Sequence, residues 1–292
     1  MFLGHITDIK NNNWRVYPQL KNWALTNAEH RLSLVSNVCK HQGSRLQGKA
    51  GEGNRTCPYH GWRYSVAGEP ISSGTTKCPN SVALDTREVA IENNFVFSDP
   101  VKLPELNFIN TQNLNLVENR VDTVRSNWRH IIDLFLDVDH IPMVHPGVYQ
   151  EISAPNVSDI QWHYKHNASI QLVPRIEVKN AFNDTLLKED LASPYSAAWT
   201  TVFPYTMMEW QPGAWFVTVC VPVNDNLTEV NVYKYRDNRY SAENWEINSR
   251  VWETAWAQDR AQAEQLTSVE IPLTNLEEQK LHFRRWLDEV AV

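Results

Sequence analysis

The spacing of apolar positions changes twice along this chain. From about Trp14 to Phe97 they come in short runs, such as R-L-S-L-V (31–35), R-Y-S-V (63–66) and A-I-E-N-N-F-V-F (90–97), cut by Gly, Asn and Pro. Short runs bounded by turn residues predict strands, so this part reads as a small all-β unit. A proline-flanked stretch, S-D-P-V-K-L-P-E-L (98–106), reads as a link. Over N-W-R-H-I-I-D-L-F-L-D-V-D-H-I (127–141) the period turns helical. Trp128, Ile131, Ile132 and Phe135 fall on one arc at about 100° per residue. Residues 160–235 return to strand-like runs, such as S-I-Q-L-V (169–173) and W-F-V-T-V-C-V (215–221). Helical patterns follow over about 241–268 and 275–290. Strands with helices laid against them predict an α+β chain of two domains, 1–105 and 106–292.

Composition narrows the picture. With 292 residues, 42% hydrophobic and 21% charged, the chain reads as globular. No apolar run approaches the roughly 18 residues of a membrane span. The first ten residues do not read as a secretory signal, so a cytoplasmic setting is expected. The net charge of −7 argues against nucleic acid as a partner. Cys78 and Cys220 read as plain buried thiols. Gly48, Gly51 and Gly53 have no helix after them, and are discounted as a nucleotide fingerprint.

Four residues carry most of the chemistry. Cys39 and His41 stand in C-K-H, and Cys57 and His60 in C-P-Y-H-G-W, fifteen residues further on. A Rieske centre joins two irons and two sulfides, with two thiolates on one iron and two imidazoles on the other. Cys₂His₂ also suits structural zinc. Zinc fingers, however, place a Cys pair before a His pair, whereas each segment here supplies one of each.

A second site is suggested downstream. Asp133, Asp137 and His140 share a helical arc away from the core stripe, and H-I-P-M-V-H (140–145) follows. Residues five apart on an unbroken helix point about 140° from each other, so His140 and His145 would diverge. Pro142 breaks or kinks the helix and lets them converge. In the later helix, Trp252, Ala255, Trp256, Ala263 and Leu266 make an apolar stripe with Asp259 in its middle. A buried carboxylate needs a cation, a hydrogen-bond cage or a proton. Two His and one carboxylate would form the facial triad of non-haem Fe(II) oxygenases, with positions left open for dioxygen and substrate.

Taken together, C-K-H…C-P-Y-H-G-W (39–62), N-W-R…D-L-F-L-D-V-D-H-I-P-M-V-H (127–145) and Q-D-R-A-Q-A-E-Q (258–265) closely resemble the α subunit of Rieske non-haem iron ring-hydroxylating oxygenases. The resemblance implies a β Rieske domain with a [2Fe-2S] cluster on Cys39, His41, Cys57 and His60. It also implies a helix-grip catalytic domain with Fe(II) on His140, His145 and Asp259. Asp137 would be the catalytic bridging residue, touching His140 in its own subunit and His60 of the next in a head-to-tail homotrimer. Asp133 stands where many members have Glu, and the chain is short for the family.

As function, the resemblance implies a terminal oxygenase. It would take electrons from a separate ferredoxin or NAD(P)H reductase and use O₂ to hydroxylate, dihydroxylate or demethylate a small organic substrate. The competing reading is a Rieske electron carrier with a non-catalytic ligand-binding domain. Trp199, Tyr205, Met207, Glu209 and Trp215 are candidate pocket residues, with aromatic walls for a ring or a cationic amine and Glu209 as a counter-charge.

Overall fold

The computed structural model describes residues 1–17, 20, 22–46, 48–73, 82–101, 111–151, 160–174, 195–267 and 277–290. Cys78 lies outside them. The chain divides into two compact units, Phe2–Val101 and Lys102–Val292.

The first unit is all β among the described residues. A five-stranded antiparallel sheet runs Ala50–Glu52, Asn13–Val16, Trp23–Ala28, Arg31–Ser36, Thr86–Glu88 in spatial order. A three-stranded sheet, Arg55–Thr56, Trp62–Tyr64, Pro70–Ser73, carries the second Cys-His pair at its first hairpin. A third sheet pairs Phe2–His5 with Phe95–Phe97 and Ala90–Glu92. The glycines between the metal pairs have a packing cause. A Cβ at Gly51 would stand 2.6 Å from the buried indole of Trp14, and one at Gly48 2.9 Å from it. They make room for a tryptophan.

The second unit is a seven-stranded antiparallel sheet with helices against it. Its strands are β1 (Leu114–Val124), β2 (Gln161–Lys165), β3 (Ala168–Pro174), β4 (Tyr195–Val202), β5 (Thr206–Gln211), β6 (Ala214–Asn224) and β7 (Leu227–Asp237). The spatial order is β1-β7-β6-β5-β4-β3-β2. The register sets Gln171, Trp199, Glu209, Phe216 and Lys234 side by side across five strands. Side chains alternate faces along a strand, so these five share one face.

The helices are α1 (Trp128–Leu136), α2 (Ile141–Val144), α3 (Ala242–Ala263) and α4 (Glu278–Val290). Asn127 caps α1 by accepting the Arg129 N–H, and Ser241 caps α3 by accepting the Asn244 N–H. Long α3 lies on the face just defined. Trp252 stacks on Phe216 with ring centroids 5.2 Å apart, and Trp256 stacks on Trp252 at 5.9 Å. Truncating such a buried indole to Ala costs about 3–5 kcal/mol. Ion pairs fix the same contact. Arg120 donates to Glu253 Oε2 at 2.9 Å and to Asp122 at 3.0 Å, and buried Lys234 pairs with Glu118 at 3.0 Å and with Glu253.

Two expectations change. The helix over 127–141 stops at Leu136, because Asp137 has extended backbone (φ −95°, ψ 109°). Its carboxylate Oδ1 accepts the Asp139 N–H at 2.9 Å, a local bond that competes with the next helical turn. Pro142 therefore does not kink a long helix. It sits in the first turn of α2, where its missing N–H costs nothing. The later helix ends at Ala263, so Leu266 lies beyond it while still packing against the core. No helix among the described residues is long and apolar enough to cross a membrane.

Candidate metal centres

The two Cys-His segments of the first unit fold into matching hairpins. Cys39 N–H donates to Ser44 O at 2.8 Å and Gly43 N–H returns to Cys39 O at 3.0 Å. Cys57 N–H donates to Trp62 O at 2.7 Å and Gly61 N–H returns to Cys57 O at 3.0 Å. Gly43 and Gly61 both have φ of 73°, where L side chains are strained. Both thiols are buried, while His60 is exposed and His41 half-buried. The two imidazoles lie 4.6 Å apart, and His41 stacks on Trp62 at 4.7 Å.

Polar donors surround the sulfurs. Burial pushes the Cys57 thiol up, but backbone N–H groups of Tyr59 and His60 outweigh it and leave the pKa lowered. Buried Tyr64 accepts the Lys40 N–H at 3.2 Å, and its hydroxyl lies 3.5 Å from Cys39 Sγ, where it would donate to a thiolate. Such donors tune a bound cluster's potential. Buried His41 Nδ1 has no hydrogen-bond partner, as expected of an atom reserved for a metal. The donor set fits a Rieske cluster.

In the second unit, His140 and His145 cap the two ends of α2 and meet beneath α3. Their Nε2 atoms are 3.1 Å apart. Asp259 Oδ1 lies 3.3 Å from His140 Nε2 and 3.0 Å from His145 Nε2. Three ligands about 2.1 Å from one ion and at right angles to one another would stand about 3 Å apart. Asp259 Oδ1 is buried and makes no hydrogen bond, so its charge faces a place for a cation. Burial alone would push the Asp259 carboxyl up, but the two imidazoles outweigh it and hold it below the usual carboxylate range.

Further contacts orient these ligands. His140 Nδ1–H donates to the Asp137 main-chain carbonyl, and His145 Nδ1–H donates to Gln258 Oε1 at 2.8 Å. Each bond commits the proton to Nδ1 and turns the Nε2 lone pair to the shared point. Gln258 was missed from the sequence, although it immediately precedes Asp259. Asp137 meets His140 through its carbonyl, while its carboxylate Oδ2 accepts from Lys280 Nζ at 2.8 Å. Glu253 and Glu264 do not approach the triad: they pair with Arg120 and Lys234, and with Arg125.

A cavity opens beside the triad. Asp137, Tyr149, Gln171, Trp199, Met207, Glu209, Trp252 and Trp256 line it together with His140, His145 and Asp259. Trp199, Met207 and Glu209 are among the lining residues. Tyr205 and Trp215 are corrections, since neither lines the cavity. Tyr205 precedes β5 and packs edge-on against Trp128 at 4.8 Å, within the core. Trp215 is buried one position before Phe216, so alternation turns it away from α3. Tyr149, also missed, sets its ring edge-to-face on His145 at 5.7 Å. Cys220 is a buried thiol, as the sequence suggested.

A β unit with a two-thiolate, two-imidazole site, followed by a sheet-and-helix unit with a two-imidazole, one-carboxylate site, defines a protein with two metal centres. Residues 1–88 match the Rieske [2Fe-2S] domain, and residues 111–277 match the ring hydroxylating α subunit catalytic domain. The chain belongs to the ring-hydroxylating α-subunit family, whose two cofactors are a Rieske [2Fe-2S] cluster and a mononuclear iron.

Among its relatives, a putrescine 2-hydroxylase of Bordetella bronchiseptica is 26% identical over 270 residues, covering 76% of this chain and 60% of the hydroxylase. A carnitine monooxygenase oxygenase subunit of Acinetobacter pittii is 27% identical, covering 63% of this chain and 53% of that protein. The chain thus spans about 60% or less of these relatives' lengths. The fold matches a crystal structure of a quaternary ammonium Rieske monooxygenase at a TM-score of 0.75, with 16% identity over 99% of this chain and 87% of that one. It matches naphthalene 1,2-dioxygenase from Rhodococcus sp. at 0.72, with 13% identity over 99% and 88%.

Proposed function

We propose that this chain is the terminal oxygenase component of a Rieske oxygenase system, and that its substrate is a small organic cation. The convergence of His140, His145 and Asp259 on one point, with Asp259 Oδ1 left without a hydrogen bond, carries the reading. An electron carrier has no use for a second ligand triad opening into a cavity.

Cys39, His41, Cys57 and His60 hold the cluster, and His140, His145 and Asp259 hold Fe(II). When bound, the ferrous ion supplies the site for dioxygen and the redox chemistry. The chain's own residues orient and shield. Asp137 and Gln258 hold the imidazole tautomers, and Trp199, Tyr149 and Trp252 wall the cavity against water. Electrons come from a separate ferredoxin or NAD(P)H reductase. Exposed His60, with Tyr59 beside it 62% exposed, and Met143, 82% exposed in α2, suit docking surfaces. They are consistent with head-to-tail trimers, in which Asp137 meets His60 of the next subunit.

The substrate class rests on Glu209. It stands in the cavity between aromatic walls, an arrangement suited to an ammonium group by charge and cation–π attraction. The relatives named for putrescine, carnitine and quaternary ammonium substrates point the same way. Glu209 accepts the Trp252 Nε1–H at 2.9 Å, yet burial pushes its carboxyl up to about 8. Below that pH it is neutral and attracts a cation weakly; above it the anion forms. The KM for a cationic substrate should therefore fall as pH rises through about 8. Glu209→Gln should flatten that dependence and, above about pH 8, raise KM about 10- to 100-fold, or about 1.4–2.7 kcal/mol. The check is O₂ uptake with a surrogate reductase across amines, betaines and aromatic hydrocarbons. Coupling to hydrocarbons alone would contradict the substrate class. Absence of any substrate-coupled uptake, despite a reducible cluster, would contradict the oxygenase reading.

A further inference from the structure

The C-terminal helix carries a charge pattern that mates with the metal-bearing segment. Asp133 and Asp137 are four residues apart, as are Lys280 and Arg284. Arg284 pairs with Asp133 and Lys280 pairs with Asp137, so the lower position on one strand of chain meets the higher on the other. The result is an antiparallel ladder of two rungs, spaced by about one helical turn.

The rungs differ in what they reach. Asp133 lies inside α1, where its pairing with Arg284 fastens α4 to the core. Asp137 lies just past the end of α1, and every polar atom of its side chain and its carbonyl is engaged. Oδ1 accepts the Asp139 N–H at 2.9 Å, Oδ2 accepts from Lys280 Nζ at 2.8 Å, and the carbonyl accepts from His140 Nδ1. Lys280 is only 9% exposed, and Glu277 Oε1, 3.0 Å away, holds its Nζ from the other side. The carboxylates of Asp137 and Glu277 outweigh the burial of the ammonium and keep it charged. A lysine so enclosed has little rotamer freedom left, so it holds the Asp137 carboxylate in one place. The carboxylate that Lys280 holds and the carbonyl that selects the His140 tautomer belong to one residue, whose Oδ1 also holds the Asp139 N–H of the same turn.

We propose that Lys280 is a positioning residue for the mononuclear iron site: its ammonium pins the Asp137 carboxylate, and through the Asp137 carbonyl it fixes the tautomer and ring plane of His140. The proposal rests on reading His140 as an iron ligand and Asp137 as the relay residue. An outer partner of this kind is worth about 10- to 100-fold in metal affinity or activity.

The test uses the full chain with both centres loaded, as Lys280→Met, Lys280→Arg, Asp137→Asn and the double variant Asp137→Asn/Lys280→Met. Lys280→Met should keep the visible cluster spectrum. It should lower kcat about tenfold or more with KM little changed, and weaken ferrous binding about tenfold. Its ferrous nitrosyl adduct should show an altered paramagnetic spectrum. Lys280→Arg, which keeps the charge, should restore most of the rate. The double variant should be no slower than Asp137→Asn alone, because both changes act through one group. If Lys280→Met does not fold, Lys280→Gln takes its place.

Near-normal kcat with an unchanged nitrosyl spectrum overturns the proposal. So does a double variant whose losses multiply. Normal turnover in Asp137→Asn would instead sink the underlying relay reading, whatever the lysine variants do.

Discussion

Asp137→Asn should leave both metal centres filled and slow product formation by about 10- to 100-fold or more. The amide keeps an acceptor for the Asp139 N–H, so the turn that ends α1 survives, and the main-chain carbonyl still faces His140. What is lost is one negative charge. Among the described residues Lys280 then keeps only Glu277 as an anionic partner, and the carboxylate proposed to link the two centres is gone. The defect should appear between the centres rather than at either one. In a single-turnover experiment with substrate and O₂, a pre-reduced cluster should reoxidise slowly while its own spectrum stays normal. With ferrous ion in excess, iron content should match the parent, even where affinity falls as in Lys280→Met. Normal turnover with the physiological donor would show that Asp137 has no bridging role.

Asp259→Ala should abolish turnover by emptying the mononuclear site, with the cluster intact. His140 and His145 are neutral when their Nε2 atoms serve as ligands, so Asp259 supplies the only anionic ligand in the triad. Its removal leaves a dication facing two imidazoles in a site sealed by Trp252, Trp256 and Tyr149. Ferrous affinity should fall by more than about 100-fold, beyond the range of an outer-partner change. Full iron retention in Asp259→Ala would move the third ligand elsewhere. Neither Glu253 nor Glu264 is placed to replace it, each being held by basic partners.

Much of this was readable from the chain. The two Cys-His segments are local hairpins, so their candidate ligands are set by short spacing alone. The anomaly of Asp259 within an apolar stripe is also local, since the period of α3 fixes which residues share its buried face. Pro142 was a poorer guide, because it sits in the first turn of α2, which runs unbroken between the capping residues His140 and His145.

Other features depend on register or long-range pairing. The side-chain acceptor that ends α1 at Leu136 is Asp137 itself, and an Asp is equally at home on a helix surface. Tyr205 and Trp215 looked like pocket residues because aromatic side chains are frequent on both sides of β5 and β6. Only the strand register shows that Phe216, not Trp215, faces α3. Lys280 lies 143 positions from Asp137. Its match to the acidic pair is visible only as two sets of four-residue spacings, which many unrelated helices share.

One chain with two distinct iron sites is the central claim, and metal counting tests it most directly. The protein is reconstituted anaerobically with iron and sulfide, and both are then assayed per chain alongside its low-temperature paramagnetic spectrum after dithionite. We expect about three irons and two sulfides per chain, with a paramagnetic signal from the reduced cluster. About two irons with two sulfides would leave His140, His145 and Asp259 without metal and contradict the oxygenase reading.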